Sequence, residues 1–179
     1  MTVQTGDTAP DFTATTSSGH TITLQSLLDK GPACLVFLRF LGCPLSRLRL
    51  TELEEELDQF KGQNLQLLVI LETRPDRAHL YLEKRDMHVE LVPDLERKLY
   101  DLYDVKSGGV LPMLNPKVLS KATKATIKGH MHGPFEGNEL QLPAAFIIGK
   151  DGKIKFTHYG AHPADTIPTA DILSASASI

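Results

Sequence analysis

Cys34 and Cys43 are the two thiols of this 179-residue chain, and their surroundings set them apart. Cys43 lies in Arg39-Phe40-Leu41-Gly42-Cys43-Pro44-Leu45-Ser46-Arg47, where an apolar run ends and a helix is expected to begin. Pro44 suits the first helical position, because the N–H it lacks would have no partner there. A thiol at that corner meets free backbone N–H groups and the positive end of the helix dipole. It is therefore expected to ionise more easily than free cysteine, whose pKa is about 8.5, and the thiolate is the nucleophile. Arg39 and Arg47 stand four residues to either side, and either guanidinium adds to this if its side chain turns inward. Ser46, one turn into the helix, is either a hydrogen-bond partner of the thiolate or an ordinary polar residue of the first turn. The competing fate of Cys43 is burial as a small apolar residue, against which the Gly42-Cys43-Pro44 corner argues.

Cys34 begins an apolar run and is expected to serve packing alone. The two thiols are nine residues apart along a nearly extended segment. That is about 30 Å at about 3.3 Å per residue, against the under ~7 Å between Cα atoms that a disulfide needs. Any disulfide of Cys43 is then with another molecule.

The elements that must position Cys43 follow from periodicity. Residues 34–40 are apolar on both pleat faces except Arg39, which predicts a strand buried on both sides at the centre of an α/β sheet. Leu50, Leu53, Leu57 and Phe60 recur at helical spacing, predicting one amphipathic helix from Leu45 that closes near Gly62. Residues 65–71 read as a second buried strand, 88–92 as another, and 21–24 as a short one. Helices are expected at 76–85, 95–103, 115–128 and 169–174, with a helical turn at 26–28. Lys150-Asp151-Gly152 between two expected strands, 144–148 and 153–157, is a hairpin signal. Strands alternating with helices imply a sheet covered on both faces, and the length suits a single domain over residues 1–179. The closing SASASI is expected to fray.

Composition excludes several classes. With 41% hydrophobic residues, 23% charged and a net charge of −3, nothing in the overall charge points to nucleic acid or to a membrane. The start, MTVQTGDTAPDF, lacks the pattern of a signal peptide, and a cytoplasmic protein is expected. His130, His132, Glu136, Glu139, His158 and His162 carry no metal-ligand spacing, so no metal is expected. The loop 130–141 is instead expected to pack on the active corner, with Glu136, Asn138 or Gln141 facing the thiol. Ser107-Gly108-Gly109 lacks the lysine and hydroxyl of a phosphate loop.

Three stretches, GDTAPDFTATTSSGHTITLQSLL, GPACLVFLRFLGCPLS and QLPAAFIIGKDGKIKFTHYG, together resemble the peroxiredoxin-like (alkyl hydroperoxide reductase/thiol-specific antioxidant, or redoxin) branch of the thioredoxin superfamily. The resemblance spans nearly the whole chain. It implies a thioredoxin-like fold, a central mixed β-sheet flanked by helices with an N-terminal extension, and an oxidoreductase with no cofactor. It places Cys43 as the attacking cysteine, supported by Gly42, Pro44, Ser46, Arg47 and Arg39. It places Pro143 as a cis-proline facing the corner, with the backbone of Leu142 open to an incoming thiol or peptide. It implies a peroxide or disulfide substrate, an external thiol reductant (glutathione or a thioredoxin-like protein) and, as in many relatives, a homodimer. Two residues depart from the pattern. Phe40 and Val36 stand where a peroxiredoxin carries a hydroxyl and a proline, and Ser46 stands where Cys-x-x-Cys carries its second thiol.

Overall fold

The strand from Ala33 to Phe40, β3, has all eight residues buried and forms the middle of the sheet. A computed structural model describes residues 2–134, 136–177 and 179, with residue 113 described by its backbone alone. Before β3 come β1 (Thr13–Thr15) and β2 (Thr21–Thr23), a separate antiparallel pair, and α1 (Leu24–Leu28). β4 (Gln66–Glu72) and β5 (Leu91–Pro93) extend the sheet on one side in parallel. On the other side lies the antiparallel hairpin of β6 (Ala144–Ile148) and β7 (Ile154–Tyr159), giving the order β5-β4-β3-β6-β7. The helices are α2 (Pro44–Glu55), α3 (Leu57–Gly62), α4 (Pro75–Glu83), α5 (Lys98–Leu102), α6 (Pro116–Ile127) and α7 (Thr169–Ser176).

The pleat of β3 sends alternate side chains into two cores. Cys34, Val36 and Leu38 meet Leu50, Leu53, Tyr81 and Ile172 on one face, while Ala33, Leu35 and Phe37 meet Leu24, Leu28, Leu99 and Tyr100 on the other. Burial of each large apolar side chain contributes about 1.5–3 kcal/mol, which is why a run apolar on both faces ends up in the middle of the sheet.

Several expectations are corrected. The helix expected from Leu45 to Gly62 is broken at Glu56, whose φ of −107° and ψ of 4° leave the helical region. The helix at 95–103 shrinks to α5, because the buried Asp94 carboxylate accepts the amides of Lys98, Leu99 and Tyr100 and fixes the start there. The strand expected at 88–92 is displaced to β5. α7 runs on through Ser176, so the first half of the tail expected to fray is helical; its residue 178 lies outside the described residues.

At the end of β3 the ladder to β4 slips. Phe37 pairs with Ile70 but Phe40 with Glu72, so β3 fits one extra residue into this stretch. Such a bulge re-aims side chains locally. Here the Ser46 hydroxyl oxygen accepts the Arg39 amide at 3.2 Å, and the buried Tyr100 hydroxyl donates to the Leu38 carbonyl at 2.7 Å.

Candidate active site

Cys43 is the N-cap of α2, with extended backbone (φ −75°, ψ 125°) and Pro44 in the first turn. Its sulfur therefore sits where strand, bulge and helix meet. The bulge turns the Arg39 side chain toward it, and Arg39 Nη1 donates to Cys43 Sγ at 2.9 Å. The rest of the guanidinium is held from the far side: Nε donates to the Gln141 carbonyl at 3.0 Å, and Nη2 donates to the Glu139 carbonyl. Arg39 is 4% exposed, so water does not compete for these bonds. An arginine N–H can only donate, and a charge-assisted bond to sulfur strengthens as negative charge develops there.

The other candidates fall differently. Arg47 turns away from the sulfur: Nε donates to the Leu41 carbonyl at 2.7 Å and Nη1 to the Met131 carbonyl at 2.9 Å. It clips the loop after α6 onto the corner. Ser46 is committed to the Arg39 amide. Gly42 earns its place by contact, since a Cβ there would run into the Pro134 carbonyl oxygen, and its own carbonyl accepts the Gly133 amide at 2.8 Å.

Two expectations about access are corrected. Cys43 is 2% exposed, packed in a small cluster with Phe40, Leu45 and Ala164 against Val118 and Ala122 of α6. The corner is thus roofed by the expected loop, which meets it through Met131, Gly133 and Pro134, and by a helix that the local pattern does not place there. The Leu142–Pro143 bond is trans. The Leu142 amide faces the Lys106 carbonyl at 3.4 Å, and its carbonyl accepts Gln141 Nε2 at 2.8 Å, so this backbone is already engaged within the chain. Leu142 and Pro143 line a cavity of about 240 Å³ together with Thr2, Asp104, Tyr159 and Gly160.

Of the three loop residues expected to face the thiol, Gln141 reaches it through Arg39, whereas Glu136 and Asn138 turn to other partners. Gln141 contributes its carbonyl, while its side-chain oxygen accepts Arg97 Nη1 at 2.6 Å; that same nitrogen lies 3.0 Å from the buried Glu72 carboxylate. Asn138 donates its amide to Glu72, and Glu136 pairs with Arg77 at 2.6 Å. Glu72, Arg97 and the Glu139 carbonyl escaped sequence reasoning because their meeting depends on strand register and loop path. Arg97 has a left-handed backbone (φ 61°), a conformation unusual outside glycine and invisible in residue type. Among the described residues no three His, Cys, Asp or Glu side chains gather into a metal-binding group.

Cys34 lies in the opposite environment. It is fully buried, and desolvation pushes its thiol up to about 12, with the nearby Arg49 charge only partly opposing this. A thiol that keeps its proton is inert. Both cysteines are free.

A thioredoxin-like sheet with a cysteine at the start of the helix following its central strand defines a thiol-based oxidoreductase class. The sequence model of the AhpC/TSA family matches residues 5–157, and the chain belongs to that family. A prostamide/prostaglandin F synthase of Salmo salar is 28% identical over 165 residues, covering 88% of this chain and 80% of the relative. The thiol-disulfide oxidoreductase ResA of Bacillus subtilis (strain 168) is 25% identical, covering 73% of each. Among solved structures, peroxidoxin BcpB from Mycobacterium tuberculosis superposes with a TM-score of 0.69 at 19% identity, covering 99% of this chain and 98% of that one.

Proposed function

We propose that this chain is a thiol peroxidase of the one-cysteine type, with Cys43 as nucleophile. The observation that supports it is the 2.9 Å bond from Arg39 to the Cys43 sulfur at the start of α2. In the reaction the thiolate attacks one oxygen of a hydroperoxide, and an S–O bond forms as the O–O bond breaks. The departing alkoxide takes a proton from solvent and leaves as an alcohol, or as water when the substrate is hydrogen peroxide. Sulfur is oxidised by two electrons to a sulfenic acid, and the peroxide is reduced by the same two. An external thiol then condenses with the sulfenic acid, releasing water and forming a mixed disulfide, and a second thiol displaces Cys43. Ser46 stands where a resolving thiol would be, so both reducing equivalents come from outside, from glutathione or a thioredoxin-like protein of the cytoplasm. With Cys43 at 2% exposure, the roof of α6 and the loop after it must shift before substrate reaches sulfur. Stoichiometric hydrogen peroxide followed by a sulfenic-acid trap and mass spectrometry is expected to label Cys43 and spare Cys34. An unlabelled Cys43 at millimolar peroxide removes this reading.

Phe40, an aromatic ring where a peroxide cradle would have a hydroxyl, favours a second reading, thiol–disulfide exchange through a mixed disulfide at Cys43. Rapid formation of a glutathione adduct at neutral pH, without any sulfenic acid on peroxide challenge, would select it.

A further inference from the structure

Six of the ten exposed large apolar side chains among the described residues fall within one short stretch: Val110, Leu111, Leu114, Leu119, Ile127 and Met131. They belong to a 3₁₀ turn, Leu111–Leu114, to α6 and to the loop beyond it. Residues 110–131 also carry Lys117, Lys121, Lys124 and Lys128 with no acidic residue, in a chain whose net charge is −3. Helical geometry sorts α6 into three stripes. Val118, Ala122 and Ala125 point inward, toward the Cys43 cluster and the protein. The four lysines, at spacings of four, three and four, form a second stripe. Leu119 and Ile127 lie on a third, 73% and 81% exposed. Lys121 is tied to the Ala164 carbonyl and Thr166, and Lys124 to Glu52, so Lys117 and Lys128 are the cations left at the two ends.

We propose that this surface, the 3₁₀ turn with the outer side of α6, seats the protein on an anionic lipid bilayer. Apolar side chains beside a cationic stripe on a helix lying along the surface suit the interface between headgroups and acyl chains, with lysines on the anionic headgroups. Charge decides against the other occupants. A second copy meeting this face across a two-fold axis would bring Lys117 and Lys128 of one copy against those of the other with no acidic residue of 110–131 between them. A nucleic acid would match the lysines and leave the apolar side chains in water. No described helix is long and apolar enough to cross a membrane; the proposed association is peripheral, through α6 and the 3₁₀ turn.

The test uses the full chain with vesicles of phosphatidylcholine alone or with about a third phosphatidylglycerol, separated by flotation. Partitioning is expected to be at least tenfold greater onto the anionic vesicles and to fall with added salt. The L119S/I127S pair, both at exposed sites, should lose at least tenfold, and K117Q/K128Q should lose the preference for anionic lipid. Because the chain contains no tryptophan, Ile127→Trp supplies a single reporter whose emission should shift to the blue on anionic vesicles. Equal partitioning onto both vesicle types, or an unshifted reporter, overturns the proposal. So does a dimer in sedimentation that L119S/I127S dissolves while vesicles capture nothing, which would make a second copy the occupant.

Discussion

Arg39→Gln tests the link between the guanidinium and the sulfur most directly. The substitution removes the positive charge and shortens the side chain, so the bond to Cys43 Sγ is lost. A hydrogen bond to a charged group contributes about 1.5–3 kcal/mol, and each 1.36 kcal/mol is a factor of ten in rate. If the bond acts on developing thiolate charge, the second-order rate of Cys43 with hydrogen peroxide should fall about 10- to 150-fold. The Gln141 and Glu139 carbonyls also lose their donor in a buried place, at about 1–3 kcal/mol each, so unfolding free energy should drop by roughly 2–6 kcal/mol. The assay is stopped-flow oxidation followed by mass spectrometry at Cys43, under conditions where circular dichroism shows the variant folded. Arg39→Lys keeps the charge but cannot serve three separate acceptors, and should fall between the two. Because Arg39 is buried, the parent's rate should respond only weakly to salt. A folded Arg39→Gln protein reacting within about twofold of the parent would refute the role of Arg39 in activating sulfur.

The remaining predictions concern the rest of the site. The Cys34 thiol is raised from 9.0 to about 12, so between those values the unfolded chain loses a proton that the folded chain keeps, and stability must fall as pH rises through that window. Cys34→Ala should flatten that fall, by roughly 2 kcal/mol between pH ~8 and ~10.5 in chemical denaturation; identical slopes for both proteins would contradict it. Gly42→Ala drives a methyl group into the Pro134 carbonyl and should cost about 1–3 kcal/mol while hastening tryptic cleavage after Lys128; unchanged cleavage would mean that the loop is held elsewhere. Ser46→Cys should yield an internal disulfide with Cys43 and a gain of disulfide reductase activity, read by non-reducing mass spectrometry and insulin reduction. Absence of the disulfide would show that this corner does not tolerate a Cys-x-x-Cys geometry.

The parts of the fold written in local pattern were legible. The doubly buried run of β3, the Gly42-Cys43-Pro44 helix start and the Asp151-Gly152 hairpin each need only neighbouring residues to declare themselves. β1 escaped because Thr13-Ala14-Thr15 is too short and polar to show an alternation. At the site, the chain spacing leaves Arg39 and Arg47 equivalent about Cys43. They are separated by a one-residue bulge in the β3–β4 ladder, which depends on partner register rather than on residue type. The same holds for Pro143: a proline before a strand is compatible with either isomer, and the trans bond goes with the Leu142 contacts to Lys106 and Gln141, residues whose path no local signal fixes. The lysine stripe of α6 was hidden for another reason, since a chain-wide sum of charge averages away what a helix gathers on one side.

Arg39 grips the sulfur with one nitrogen and the stretch 139–141 with the other two, across about a hundred residues of sequence. A planar group so occupied cannot swivel to suit one end alone. If Cys43 reacts as proposed, a bulkier sulfur would press on residues 139–141 through this one guanidinium, and a change at those residues would press back on the sulfur.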